Sequence, residues 1–187
     1  GLYKFSTAKN PSKKPRVHLF GSGAILREAI AAQSLLDERF GVAADVWSAT
    51  SYLLLRREAL ACERWNLLHP DRPARVPYVT QMLADEPFPV VATGDYMKSV
   101  PDQIARWVPG GLRPLGTDGF GRSEARAELR DYFEIDARYT ALAALQELSR
   151  IGKFDRSKLA DAVKTLNINP EKLDPIAPPK PETLQEN

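Results

Sequence analysis

Cysteine, histidine and methionine are scarce in this sequence, with one, two and two residues among 187. The lone Cys62 excludes an internal disulfide. With only His18 and His69 beside it, no structural zinc site can be assembled. The apolar runs are only a few residues long, far short of the ~20 that a membrane helix needs, and the N-terminus lacks the basic and apolar regions of a signal peptide. The expected address is cytoplasmic, with no membrane partner. Net charge is only +2, with 43% hydrophobic and 27% charged residues, the balance of one globular domain. A fold of this size buries roughly 70% of the surface its unfolded chain exposes, so it needs no metal or disulfide staple. Residue 1 is Gly1 rather than methionine, which suggests a chain trimmed, processed or cut from something longer.

The small net charge hides an uneven distribution. Residues 1–16 carry five bases (Lys4, Lys9, Lys13, Lys14, Arg16) and no acid. A basic arm of this kind can touch nucleic acid, but Pro11, Ser12 and Pro15 interrupt it and no aromatic interleaves the lysines. A solvated basic linker with no nucleic-acid partner is the preferred reading. Residues 170–187 hold five of the fifteen prolines and four acids. Such a segment cannot bury enough apolar surface to offset its ordering, so 169–187 is expected to be a proline-rich extended tail. A single α/β domain is expected over 17–168.

Within that domain, short β-rich runs alternate with helical periodicity, the pattern of an α/β layer structure around a partly parallel sheet. Strands are predicted over 17–20, 45–49, 89–93 and 112–116. A helix is predicted over 24–39 with Gly41 as its stop, and another from a Thr50-Ser51 cap toward Trp65. A prolyl loop covers 69–77 and a short helix 78–84. Met97, Val100, Ile104, Trp107 and Val108 fall at helical spacing. Ser123, Asp136 and Asp155 are predicted N-caps of three further helices.

Two turns invite a ligand reading. Gly21-Ser22-Gly23 joins a strand to a helix, where a dinucleotide fold places its phosphate loop, but Leu26 occupies the third glycine position and Asp45 lies at the wrong end of its strand. Tight packing of the helix start accounts for it more simply. The turn from Gly116 to Arg122 combines three glycines, a predicted helix start and a guanidinium. It has no Walker lysine, and Asp118 would repel an anion unless a metal intervened, or would bond its own turn's backbone. Asp118, Gly119, Phe120, Arg122 and Ser123 are therefore named as an anion-binding or interface turn. Catalytic sets fail on inventory. His18 lies inside an apolar strand, His69 precedes a proline, and Cys62 adjoins Glu63, which disfavours a thiolate. Glu124, Glu128, Asp131 and Glu134 interleave with Arg126 and Arg130 at the spacing of ion pairs along one helix.

Three strings in one order resemble a known family. Cys62-Glu63-Arg64-Trp65-Asn66-Leu67-Leu68-His69-Pro70, Gly94-Asp95-Tyr96-Met97-Lys98 and Leu115-Gly116-Thr117-Asp118-Gly119-Phe120-Gly121-Arg122-Ser123 are similar to the C-terminal domain of the homodimeric bacterial pyruvate dehydrogenases. The likeness begins at Tyr3-Lys4, passes through Leu19-Phe20-Gly21-Ser22-Gly23 and runs to Asn167. More distantly the chain is similar to the C-terminal domain of transketolases. Tyr52-Leu53-Leu54-Leu55 departs from the pattern, being more apolar than that helix start should be.

The resemblance implies an α/β fold, a three-layer sandwich with a mixed, mostly parallel sheet of about five strands, one more than periodicity supplies. It implies a parent oxidoreductase that decarboxylates pyruvate and acetylates a lipoyl group, using thiamine diphosphate and magnesium. In that family the preceding domains hold the cofactor through a Gly-Asp-Gly with a downstream asparagine, and supply the activating glutamate. Here Gly94-Asp95 is followed by Tyr96, and no asparagine occurs between Asn66 and Asn167. No catalytic, cofactor-binding or metal residue is therefore assigned, and the isolated chain is expected to bind no cofactor and to be inactive. The implied partners are the preceding domains of the same polypeptide, the second subunit of a homodimer and the lipoyl acetyltransferase component. The alternative is a stand-alone nucleotide- or anion-binding α/β module using the Gly21–Gly23 or Gly116–Arg122 turn.

Overall fold

The computed structural model describes residues 1–176. Five strands form one sheet: β1 (Leu2–Ser6), β2 (Arg16–Gly21), β3 (Ala43–Ala49), β4 (Val90–Thr93) and β5 (Leu112–Leu115), in the order β1-β3-β2-β4-β5. β1 runs antiparallel to β3, and every other pairing is parallel. The mixed, mostly parallel sheet of the sequence reading is thus present.

The sheet is covered on both faces because its central strands alternate apolar residues toward both. Val17 and Leu19 of β2, with Ala44 and Val46 of β3, pack against α1 (Leu26–Phe40) and α6 (Ala137–Arg150). Phe20, Trp47 and Ala49 face the other way, toward α2 (Tyr52–Leu68) and α3 (Tyr78–Leu83). Each fully buried side chain of the size of Leu19, Leu36 or Leu145 contributes about 1.5–3 kcal/mol. From β2 the chain first steps to β3 on one side, then returns past β2 to β4 on the other. Right-handed crossovers in opposite directions put the connecting helices on opposite faces, so topology and hydrophobic alternation agree. They also open a crevice beyond the carboxyl ends of the strands where the winding reverses.

Most helix boundaries follow their sequence signals. Gly41 closes α1 in the left-handed region at φ 62°. Ser51 caps α2, its Oγ accepting from the Leu54 N–H at 3.2 Å. Asp136 caps α6 by accepting from the N–H groups of Arg138 and Tyr139 at 2.9 and 3.1 Å. Asp155 caps a short 3-10 turn, Arg156–Lys158, that leads into α7 (Leu159–Thr165).

Four expectations are corrected. The supposed basic linker over 1–16 contains β1, whose Lys4 is held by Asp45 and Glu86 at 3.0 Å each, while Arg16 pairs with the same two carboxylates. Lys14 is paired as well, with Asp37. These cations are used internally, and a lysine in an edge strand discourages further pairing of that edge.

The helix over 97–108 is broken into a four-residue α4 (Ser99–Asp102) and a 3-10 turn, Ala105–Trp107. Pro101 removes a donor, and the bonds Val100 N–H to Met97 O, Ile104 N–H to Pro101 O and Trp107 N–H to Ile104 O close three-residue steps instead.

Ser123 is not an N-cap. α5 (Arg126–Tyr132) starts later, with Ala125 as its N-cap and the Glu128 carboxylate accepting from the Ala125 N–H at 3.3 Å. Finally, the charges of α5 are not a self-contained helix face. Arg130 reaches Glu28 of α1 at 2.8 Å, and Asp131 pairs with Arg138 and Lys172.

Of the tail expected over 169–187, residues 177–187 lie outside the described residues. Its beginning is tied down by Lys172, which donates to the Tyr139 hydroxyl at 3.2 Å.

Candidate functional site

The loops after β2, β3, β4 and β5 meet at the carboxyl end of the sheet, and both glycine turns lie there. Gly21 is required by packing: a Cβ on it would sit 2.6 Å from Leu26 Cα and 3.2 Å from Ala29 Cβ, so only glycine lets α1 approach β2. Gly23, at φ 53°, faces open space. Ser22 N–H donates to Thr93 O at 3.3 Å, joining the two parallel strands just beyond their last paired residues.

The turn from Gly116 to Arg122 is built against the loop that follows β4. A Cβ on Gly116 would lie 2.4 Å from Tyr96 O. Thr117 donates its N–H to Tyr96 O at 2.9 Å and its hydroxyl to Asp95 O at 3.0 Å. Asp118 Oδ1 accepts the Lys98 N–H at 3.0 Å, and its other oxygen lies 3.8 Å from Lys98 Nζ. Asp118 therefore clamps a neighbouring loop rather than its own turn.

The other named residues of this turn do not converge on Asp118's contacts. Gly119 adopts φ 97° beside Pro175 O, and Phe120 is 94% exposed. Arg122 stacks on Tyr132, 4.2 Å from the ring centre, at a cleft of about 870 Å³ shared with Glu124, Asp131, Arg138 and Lys172. Ser123 is exposed. No common ligand position is formed by Asp118, Arg122 and Ser123.

Sequence reasoning underestimated a polar cluster at the opposite end of the sheet. His18 is wholly buried, with Nδ1 3.1 Å from Trp47 Nε1 and Nε2 2.8 Å from Glu86 O. The indole N–H can only donate, so Nδ1 accepts and Nε2–H donates to Glu86 O. Burial lowers the His18 pKa from its ordinary value, against the opposing pull of the Glu86 carbonyl and the carboxylates. Asp45, 1% exposed, accepts the Ala8 N–H at 2.8 Å and binds Lys4 and Arg16. Burial raises its pKa, but these donors outweigh burial and hold it below the usual carboxylate range. Every partner in this cluster is satisfied, and its work is to dock β1 and the loop around Glu86. The separation of Lys4, Arg16, Asp45 and Glu86 along the chain hid it.

The remaining nucleophile and bases are likewise committed. Cys62 Sγ donates to Glu58 Oε1 at 3.2 Å, and burial together with Glu58 pushes the thiol pKa up. His69 stacks on Trp65 at 4.6 Å, with Nδ1 2.9 Å from Trp65 O. Among the described residues no three histidine, cysteine or acidic side chains are grouped to hold a metal, and no described helix is long and apolar enough to cross a membrane. Asp95 is exposed on the loop after β4 and belongs to no such group among the described residues.

What these features define is a doubly wound, three-layer α/β domain whose glycine turns bind its own loops together and leave apolar side chains facing outward. Residues 1–136 match the family model of the transketolase-like C-terminal domain, and the chain belongs to that family. It is similar to the pyruvate dehydrogenase E1 component of Haemophilus influenzae, 47% identical over 177 residues that cover 94% of this chain and 20% of that protein. The pyruvate dehydrogenase E1 component of Escherichia coli K12 is 46% identical over 176 residues, covering 94% of this chain and 19% of its own. Among solved structures, an inactive β4 tetramer of a split-gene transketolase aligns with 80% of this chain and 42% of its own, at 16% identity and a TM-score of 0.49. The chain spans about a fifth of the length of the curated relatives it matches.

Proposed function

We propose that this chain is the C-terminal structural domain of a cytoplasmic, thiamine-diphosphate-dependent pyruvate dehydrogenase, and that it supports the dimer in which the parent's chemistry takes place. The parent would decarboxylate pyruvate with thiamine diphosphate and magnesium held by its preceding domains, and acetylate the lipoyl group of the acetyltransferase component. This chain contributes no reacting group. The similarity to pyruvate dehydrogenase E1 components supports the parent assignment.

The observation that carries the structural role is the outward-facing apolar set at the carboxyl end of the sheet. Leu53 and Leu54 after β3, Tyr96 and Met97 after β4, and Phe120 after β5 are all more than half exposed. Gly1 lies at the same end, its carbonyl accepting from the Thr50 and Ser51 N–H groups at 2.8 and 3.2 Å, so a preceding domain would enter beside these side chains. Apolar side chains gathered at one end of a domain suit a protein interface better than solvent. The Asp118–Arg122 turn belongs to this interface.

The test is made in the full-length enzyme by replacing Phe120 with Asp, and separately Arg122 with Ala. Both are expected to weaken dimerisation about tenfold or more while leaving the chemical step of intact dimers within about twofold, as for residues that anchor an interface. Unchanged dimer mass with a lost chemical step would overturn the reading.

A further inference from the structure

We propose that the crevice between the Gly21–Gly23 turn and the start of α2 binds a phosphate group, either the free ion or a small phosphate monoester. The cleft holds about 490 Å³ and is lined by Ser22, Ser48, Thr50, Ser51, Tyr52 and Tyr96. Its polar lining is hydroxyl and backbone, and no charged side chain takes part. It lies beyond the carboxyl ends of β2 and β3, next to the point where the winding of the sheet reverses, the position at which open α/β sheets receive ligands.

Two independent features point to an anion. The first is Ser22, which is 2% exposed and whose Oγ has no hydrogen-bond partner. A buried hydroxyl without a partner is unfavourable, and such groups are seldom left so unless something arrives to meet them. The nearby Tyr52 phenol is itself buried, and burial pushes its pKa well above the ordinary tyrosine range against a smaller easing by Ser22, so it stays a neutral donor. Ser22 lies close enough to Tyr52 to ease that phenol, yet its own Oγ is left without a hydrogen-bond partner in the fold and can donate outward.

The second feature is the first turn of α2, a helix of 17 residues. Ser51 Oγ satisfies the Leu54 N–H, and Gly1 O takes the N–H groups of Thr50 and Ser51. The N–H groups of Tyr52 and Leu53 have no carbonyl within the helix to meet, as at every helix start. They add the positive end of the helix field to a cleft that has no carboxylate to oppose an anion. A phosphate has enough acceptor oxygens for the Ser22 and Tyr52 hydroxyls and these two amides together. Gly23 keeps the approach clear, since a Cβ there would meet nothing within 4 Å, and the volume leaves room for a small ester group.

The test is isothermal titration of inorganic phosphate into the full chain at fixed ionic strength, alongside Ser22→Ala and Leu53→Asp. Ser22→Ala removes a hydroxyl that makes no bond in the fold, so its unfolding temperature without phosphate should be unchanged or higher. Leu53 is 57% exposed in the first turn of α2, where an acid favours the helix while repelling the ligand. Saturable binding is expected in the parent sequence, weakened about tenfold in Ser22→Ala and lost in Leu53→Asp. Methyl phosphate binding as tightly as inorganic phosphate would identify an ester as the ligand, and much weaker binding would identify the free ion. No saturable binding, or equal binding in both variants, would overturn the proposal.

Discussion

Trp47 donates its indole N–H to Nδ1 of His18, 3.1 Å away, at a place where both side chains are buried. The bond sets the tautomer of the imidazole, and thereby leaves Nε2–H to hold the Glu86 carbonyl. A protonated His18 would present a second donor to the indole N–H, so the folded chain favours the neutral ring.

The pH dependence follows with a definite sign. Because the folded pKa of His18 lies below its ordinary 6.5, the unfolded chain takes up a proton first as pH falls. The contribution of His18 is therefore fully present above pH 6.5 and is lost as pH falls from there through the folded value. Asp45 and Glu86, also lowered in the fold, keep their contributions above the ordinary carboxylate values of 3.8 and 4.5 and lose them at lower pH. Thermal unfolding between pH 8 and 3 should show a first decline starting near 6.5 and a second below 4.5. Each proton contributes a slope of at most about 1.4 kcal/mol per pH unit. Trp47→Phe should remove the donor to Nδ1, cost about 1–3 kcal/mol and shift the first decline, because Nδ1 no longer faces an opposing N–H. A pH profile identical to that of the parent sequence would contradict this account.

Asp118 should act as an acceptor in the fold. Asp118→Asn keeps an oxygen for the Lys98 N–H and is expected to change stability by less than about 0.5 kcal/mol, since the partly exposed pair with Lys98 Nζ contributes little. Asp118→Ala removes the acceptor and should cost about 1–2 kcal/mol, with faster hydrogen exchange at the Lys98 amide. Equal loss in the two variants would assign the effect to charge instead.

The glycines of the first turn should separate by mechanism. Gly21→Ala forces a Cβ to 2.6 Å from Leu26 Cα, and moving α1 off β2 should cost about 1–3 kcal/mol or more. Gly23→Ala has open space but a φ of 53°, so only the left-handed penalty of about 1–2 kcal/mol applies. Chemical denaturation of both variants checks the order, and a larger loss at Gly23 would show that the α1 packing is less tight than described.

The elements that were legible in the sequence are those whose signals are local. The short β-rich runs Val17–Phe20 and Asp45–Ala49 mark two buried strands, Ser51 and Asp136 mark helix starts, and Gly41 marks a stop, because each device acts within a few residues of itself. β1 escaped this reading because its strand character comes from its partner. Lys4 reads as a solvated charge until β3 places Asp45 beneath it and the loop before β4 places Glu86 beside it. Pro101 was visible, yet whether it would break the helical pattern depended on what the following turn could bond.

The candidate site divides along the same line. Read alone, the sequence shows a strand-to-helix glycine turn, a second glycine-rich turn, and too few histidines and cysteines for a structural zinc site. The three long strings also carried the family. That Asp118 holds Lys98, that Arg122 lies on Tyr132 and that Ser22 is buried without a partner follows from the packed fold. Side-chain pairing across elements depends on how the sheet is wound, and hydrogen bonds between residues tens of positions apart leave no periodic trace along the chain.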